Sequence, residues 1–120
     1  MENNNILYIK RILNDSYANK DSLLFDIAVE ISTNILNCSL KGISQHNDGI
    51  HLEFECTSMT LDKTDISKAV AHSIRNILIQ YEERKSDYNE EVMNFLKDEV
   101  NLYGFFNVMM VRGMFFTIIL

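Results

Sequence analysis

The stretch 102–120, LYGFFNVMMVRGMFFTIIL, limits the possible folds more than any other part of the sequence. It contains four of the seven phenylalanines and three of the six methionines, and Arg112 is its single formal charge. Val, Ile, Thr and Phe dominate it, and Arg112 and Gly113 interrupt it, which favours two buried strands over one buried helix. We therefore predict strands at about 105–111 and 114–119, joined by a tight turn in which Gly113 takes a positive φ.

A second hairpin is predicted at about 40–56. Asn47, Asp48 and Gly49 tolerate positive φ and separate two extended runs. The run after them alternates polar residues with four apolar ones, as a strand with one buried face does: Ile50, Leu52, Phe54 and Cys56. The run before them, 40–46, is less regular, and Gly42 indicates a bulge or a close approach. We place that first strand at a sheet edge.

The two cysteines, Cys38 and Cys56, flank this hairpin. A turn centred on Asp48 and Gly49 places Cys56 opposite Lys41 and leaves Cys38 beyond it, so a disulfide would need a different register. We expect free thiols in a reducing cytoplasm. The N-terminal sequence MENNNILYIKRIL has no basic region followed by an apolar one, so no secretory signal is visible and we predict a cytoplasmic location.

Apolar residues at helical spacing predict four helices, at about 5–14, 22–36, 65–82 and 86–100. The element order is therefore ααββααββ. We predict a single α+β domain, residues 1–120. In it, two β-hairpins form a four-stranded antiparallel sheet that helices cover on one face.

The charge balance bears on the partners. The formal net charge is −6 and the sequence pI is about 4.9, so the average surface repels phosphate backbones and anionic lipid headgroups. We expect no nucleic-acid partner and no membrane partner, and a basic protein surface becomes a better candidate. The run 102–120 has the length of a membrane span, but Arg112 near its middle would cost several kcal/mol in lipid, which favours a buried sheet.

The sequence predicts no catalytic residue, no cofactor and no metal. There is no Gly-x-Ser-x-Gly elbow, and the four glycines are placed in turns and sheet rather than in a phosphate-binding loop. His46 and His51 form the one candidate metal pair. The third ligand considered, Cys56, alternates to the opposite face of the strand, so a three-ligand site fails. The paired carboxylates Glu53/Glu55 and Glu82/Glu83 are expected to face solvent.

The C-terminal hairpin has two apolar faces. One face carries Phe106, Val108 and Met110, and the other carries Phe105, Met109 and Val111, with Asn107 as the single polar interruption. A strand that is apolar on both sides is expected to be buried on both. If the helices cover one face of the sheet, then the first helix, a second copy of the chain or a partner protein must cover the other. We predict that acidic and apolar residues form a protein-binding site: Asp48, His51, Glu53, Glu55, Glu82, Glu83, Phe106 and Met110.

Three hypotheses for function follow. The first is a small acidic protein-binding module of the inhibitor, immunity, anti-defence or adaptor type, which acts without catalysis and forms a homodimer. The second is a small-ligand-binding or enzymatic domain with a pocket between sheet and helices, lined by Tyr81, Phe95, Tyr103 and His72. The third is a structural subunit of a homo-oligomer. The Asn-, Ile- and Lys-rich acidic composition resembles, in general character only, the small binding proteins of bacteria and phages, and no motif carries this resemblance.

Overall fold

The computed structural model describes residues 4–57, 62–111 and 114–120. Over these ranges the element order is ααββααββ, which confirms the predicted α+β fold. The helices are α1 (Asn4–Asn19), α2 (Leu23–Asn34), α3 (Lys63–Glu83) and α4 (Glu90–Lys97), and a short 3₁₀ helix follows at Glu99–Leu102. The strands are β1 (Cys38–His46), β2 (Gly49–Cys56), β3 (Asn107–Val111) and β4 (Phe115–Ile119).

The two hairpins join into one antiparallel sheet with the strand order β1-β2-β4-β3. The central pair is β2 and β4, with Phe54 opposite Phe116. In this order β1 and β3 are the edge strands, so the prediction that the strand at 40–46 lies at an edge is confirmed. The turn predicted at Arg112 and Gly113 lies outside the described residues.

The core lies between one face of the sheet and the helices. Alternate residues of the central strands point into it, and the Phe54 and Phe116 rings stack with centroids 5.1 Å apart. The helices contribute apolar residues from every third or fourth position, as amphipathic helices do. Fully buried examples are Ile9, Leu13, Ile27, Ile31, Ile66, Ile74 and Leu96.

The first hairpin departs from the predicted register in two ways. Its turn consists of Asn47 and Asp48, with His46 opposite Gly49, so the predicted turn centred on Asp48 and Gly49 is wrong. Gly49 is already part of β2, with φ +136°, a conformation that side-chain-bearing residues rarely adopt. A bulge between Leu40 and Gly42 then shifts the register once more. The bulge agrees with the expectation from Gly42.

These two shifts bring Cys38 directly opposite Cys56. The predicted pairing of Cys56 with Lys41 is therefore wrong, because the bulge removes Lys41 from the ladder. Both cysteines are free thiols, with Cys56 buried and Cys38 half-buried. Burial raises the pKa of the Cys38 thiol well above its usual range, and the neighbouring Cys56 thiol raises it further.

Two helix ends also differ from the prediction. Helix α1 continues to Asn19, beyond the end predicted at about residue 14, because Ser16 is buried and donates a hydrogen bond to Asp21. Helix α4 ends at Lys97, because Asp98 takes an extended conformation and its side chain accepts from the Val100 N–H to start the 3₁₀ turn. None of the helices in the described ranges combines the length and the apolar character that a bilayer crossing requires.

Candidate functional site

The face of the sheet opposite the helices is largely exposed, although Ile119, which lies on it between His51 and Asn107, is buried. We call this face of the sheet the open face. Met109, Val111 and Phe115 lie on it and are 45%, 44% and 44% exposed. Helix α1 does not cover it, because Ile9 and Leu13 bury α1 in the core on the other side of the sheet. The sequence analysis named three ways to cover this face of the sheet: the first helix, a second copy of the chain or a partner protein. The last two therefore remain.

These three exposed side chains form one cluster, which we call the apolar patch: Met109, Val111 and Phe115. Val111 and Phe115 are direct partners in the β3–β4 ladder, and Met109 is two residues before Val111 on the same face of β3. Cross-strand partners have Cβ atoms about 5 Å apart, so these side chains adjoin one another. A contiguous exposed apolar patch on a folded domain marks a contact surface more often than a scattered apolar residue does.

Acidic side chains border the apolar patch. Glu55 lies opposite Phe115 and Glu53 lies opposite Thr117, so β2 places two carboxylates beside the patch. Glu53 is exposed, whereas Glu55 is half-buried and forms a salt bridge with Lys41 of β1, with 2.8 Å between Nζ and Oε2. On the open face the apolar patch thus belongs to β3 and β4, beside polar Asn107 and Thr117, and the charged residues belong to β1 and β2.

The two histidines of the first hairpin also meet on the open face. The His46 and His51 rings stack with their centroids 4.0 Å apart and an angle of 26° between their planes. Nε2 of His51 lies 2.7 Å from Oδ1 of Asp48, and Nε2 of His46 lies 2.9 Å from Oγ of Ser44. The hydrogen bond with His51 holds the pKa of the Asp48 carboxyl below its usual value.

Of the eight predicted site residues, Asp48, His51, Glu53 and Glu55 belong to the first hairpin and lie on or beside the open face, and the other four lie elsewhere. Glu83 is exposed but belongs to α3, on the helical side of the sheet. Phe106 is only 6% exposed and belongs to the core. Met110 shares the inward face with Val108 and Phe116, yet it is 46% exposed, because β3 is an edge strand. Phe106 and Met110, the two hairpin residues predicted from the sequence, thus lie on the face of the sheet that the helices cover. The sequence analysis did not identify the apolar patch on the opposite face.

The expectation that Glu82 faces solvent is wrong. This carboxylate is 2% exposed, because three groups bind it in the core. The Tyr8 hydroxyl donates to it over 3.1 Å, the Asn89 N–H over 2.8 Å, and the Lys85 ammonium lies 3.2 Å away. Burial works against the charged form of Lys85, but hydrogen bonds to Tyr8 and Glu82 outweigh burial and raise the Lys85 pKa.

The residues of the predicted small-ligand pocket are dispersed. Tyr81 lines a groove of about 690 Å³ between α2 and α3, together with exposed Phe25 and Val29. Tyr103 lines a different cavity, with Lys63 and Thr64. His72 is exposed on α3, with Nδ1 2.9 Å from Oε1 of Glu99. The groove beside Tyr81 lies on the outer surface of the helices rather than between sheet and helices.

Comparisons of the chain with protein-family models, with curated proteins and with solved structures found no match. The assignment of function therefore depends on the geometry of the open face and on the chemistry of its side chains.

Proposed function

We propose that this protein is a non-catalytic protein-binding module and that the open face of its sheet is the binding surface. The observation that carries the proposal is the apolar patch, three large side chains exposed side by side on a regular sheet. Protein interfaces commonly have such an apolar centre with polar residues around it. Glu53, Thr117 and Asn107 supply polar neighbours in the adjoining ladder positions.

Charge specifies the kind of partner. The exposed carboxylate of Glu53 lies next to the apolar patch, and the whole chain carries a formal charge of −6. The complementary surface is an apolar segment flanked by lysine or arginine. If the open faces of two copies packed against each other, Glu53 would meet its counterpart, the apolar patch or Lys41, which already pairs with Glu55. The first two arrangements desolvate a carboxylate without a counter-charge. The partner proposed for this face is therefore a different, basic protein.

Site-specific photo-cross-linking tests this proposal. A photoreactive phenylalanine analogue replaces Phe115 on the open face and, as the matched control, the exposed aromatic Tyr88 on the helical side. The proteins are irradiated in cells that make this protein naturally. We expect a discrete adduct with one other protein from position 115 and none from position 88, and we expect the adduct to weaken when Glu53→Lys is added. Equal labelling from both positions, or no adduct at 115, contradicts the proposal.

A structural subunit of a homo-oligomer is the second candidate, and the edge strand β3 favours it. The segment Asn107–Val111 has no charged residue and its outer backbone groups have no strand partner among the described residues. Such an edge can pair with the same strand of a second copy, whereas the bulge in β1 protects the other edge. Sedimentation at micromolar concentration distinguishes the candidates. A monomer excludes the β3 dimer. A dimer that is dissociated by Met110→Lys, a substitution on β3 outside the apolar patch, supports it.

A further inference from the structure

We propose that His46, His51 and Glu53 form a binding site for a divalent first-row transition metal, with Zn²⁺ as the best-fitting ion. One ligand atom from each of the three side chains lies within 4.8 Å of the other two. This set goes beyond the proposed function, because it needs no partner protein. It also differs from the pair weighed in the sequence, where Cys56 was the only third ligand considered and pointed to the wrong face.

The register of the first hairpin brings the three ligands together. His51 and Glu53 are two residues apart on β2, so both project from the open face. Ser44 lies opposite His51, and His46 follows two residues later on the same face of β1. Donor atoms around a tetrahedral Zn²⁺ at about 2.0–2.2 Å are roughly 3.4 Å apart. Closing a set that already lies within 4.8 Å requires the two stacked imidazole rings to rotate about their side-chain torsions until one ion lies in the plane of both.

The hydrogen bonds around the rings are those that support histidine ligands. Asp48 binds Nε2 of His51 at 2.7 Å and Ser44 binds Nε2 of His46 at 2.9 Å. A metal-bound histidine usually has its second ring nitrogen bound to a carboxylate or another polar group, which orients the ring and selects its tautomer. Because protein groups engage both Nε2 atoms, we assign metal binding to Nδ1 of each ring.

The donor set selects the class of ion. Two imidazole nitrogens and one carboxylate oxygen suit Zn²⁺ and its neighbours in the first transition row, whereas Mg²⁺ and Ca²⁺ prefer oxygen donors alone. Three protein ligands leave a fourth tetrahedral position for water or for another molecule. Glu53 and His46 are exposed, so an ion reaches the site directly from solvent.

Calorimetric titration of untagged protein with ZnCl₂ in a non-chelating buffer tests the site. We expect one Zn²⁺ per chain, and we expect His46→Ala, His51→Ala and Glu53→Ala each to weaken binding at least about 100-fold. Asp48→Asn is expected to weaken it by about 10–100-fold, because it acts through the ring of His51. The matched controls are His72→Ala, which removes the remaining histidine, and Glu55→Gln, which alters the next open-face carboxylate. Both should bind as the original chain does.

Imidazole NMR spectra of the unaltered chain give an independent readout that does not depend on how the variants fold. Saturating Zn²⁺ should shift the ring resonances of His46 and His51 and leave those of His72 in place. The inference is overturned if Zn²⁺ shifts all three histidines alike, if it shifts none, or if the control variants lose as much affinity as the ligand variants. Glu53 belongs to both proposals, so His46→Ala and Phe115→Ala separate them. His46→Ala should weaken Zn²⁺ binding and leave the cross-link at position 115 unchanged, whereas Phe115→Ala should leave Zn²⁺ binding unchanged.

Discussion

The hydroxyl of Tyr8 donates a hydrogen bond to the carboxylate of Glu82, 74 residues later in the chain, over 3.1 Å. Tyr8 belongs to α1 and Glu82 to the last turn of α3. The same carboxylate accepts from the N–H of Asn89, the residue that caps the start of α4. One buried charge thus connects three helices, and the Lys85 ammonium, 3.2 Å away, balances it.

Removing this carboxylate should destabilise the fold. Glu82→Ala leaves the Asn89 N–H and the Tyr8 hydroxyl without their acceptor, so we expect a loss of about 3 kcal/mol in the free energy of unfolding. Tyr8→Phe removes a single hydrogen bond and should cost about 1 kcal/mol. Urea denaturation measures both. Glu83→Ala, at the exposed neighbouring position, is the control and should stay within about 0.5 kcal/mol of the unaltered chain. Equal losses at 82 and 83 would contradict this account.

Gly49 should accept no side chain. Its φ is +136°, and a Cβ built on it would lie 2.2 Å from the backbone oxygen of Leu120, which also accepts from the Ile50 N–H. Gly49→Ala must therefore push the C-terminal residue off β2 as well as strain the backbone, and we expect a loss of at least about 2 kcal/mol. In thermal unfolding, Gly104→Ala serves as control, because a Cβ there meets nothing within 4 Å. A harmless Gly49→Ala would mean that this contact is absent.

The fold was predictable from the sequence because its signals are local and repeated. Helical spacing in α2 and α3 and strict alternation in β2 extend over many residues, so the element order was found without tertiary information. The hairpin register was not predictable in this way. Gly49 is needed where β2 meets Leu120, a contact across 71 residues, and the neighbouring Asn47 and Asp48 suit a turn equally well.

The site was predictable only in part, for a related reason. Glu53 and Glu55 alternate with buried Leu52 and Phe54, and this alternation alone assigns them to the open face. In β3 both alternating sets are largely apolar, and Asn107, in the same set as Met109 and Val111, is the one local sign of which set faces solvent. Which of the two carboxylates, Glu82 or Glu83, is buried depends on the hydrogen bond from Tyr8, which is distant in sequence. The metal ligands His46 and Glu53 become neighbours only once the register is known.

The pairing of Cys38 with Cys56 predicts an oxidation product. The Cys56 N–H donates to the carbonyl of Met114, the residue before β4, and so points away from β1. The two cysteines therefore form a non-hydrogen-bonded pair with Cα atoms about 4.5 Å apart. This separation permits a disulfide. Because the raised Cys38 pKa keeps that thiol protonated near neutral pH, air oxidation should be slow, and the rate should increase as the pH rises.

Mass spectrometry of the folded protein measures this reaction. After treatment with diamide we expect an intrachain disulfide, seen as a loss of two hydrogens and a linked pair of peptides containing Cys38 and Cys56. Cys38→Ser should abolish it. A product consisting only of disulfide-linked dimers would show that the two thiols do not face each other.

Neighbouring phenylalanines of β4 should respond in opposite ways to truncation. Phe116 is 2% exposed and packs against Phe54, so Phe116→Ala should cost about 3–5 kcal/mol. Phe115 is 44% exposed on the open face, so Phe115→Ala should cost less than about 1 kcal/mol. Urea denaturation of the two variants gives the comparison. Similar losses would show that the open face is covered within the free protein.

The most direct test of the central claim uses the partner protein that position 115 captures. Its affinity is measured for purified variants of this chain. If the open face is the binding surface, Phe115→Ala and Glu53→Lys should each weaken binding at least tenfold while the fold remains stable. The controls are Tyr88→Ala and Glu83→Lys on the helical side, for which we predict a change of less than about twofold. Equal affinities for the open-face variants and the controls would contradict the account.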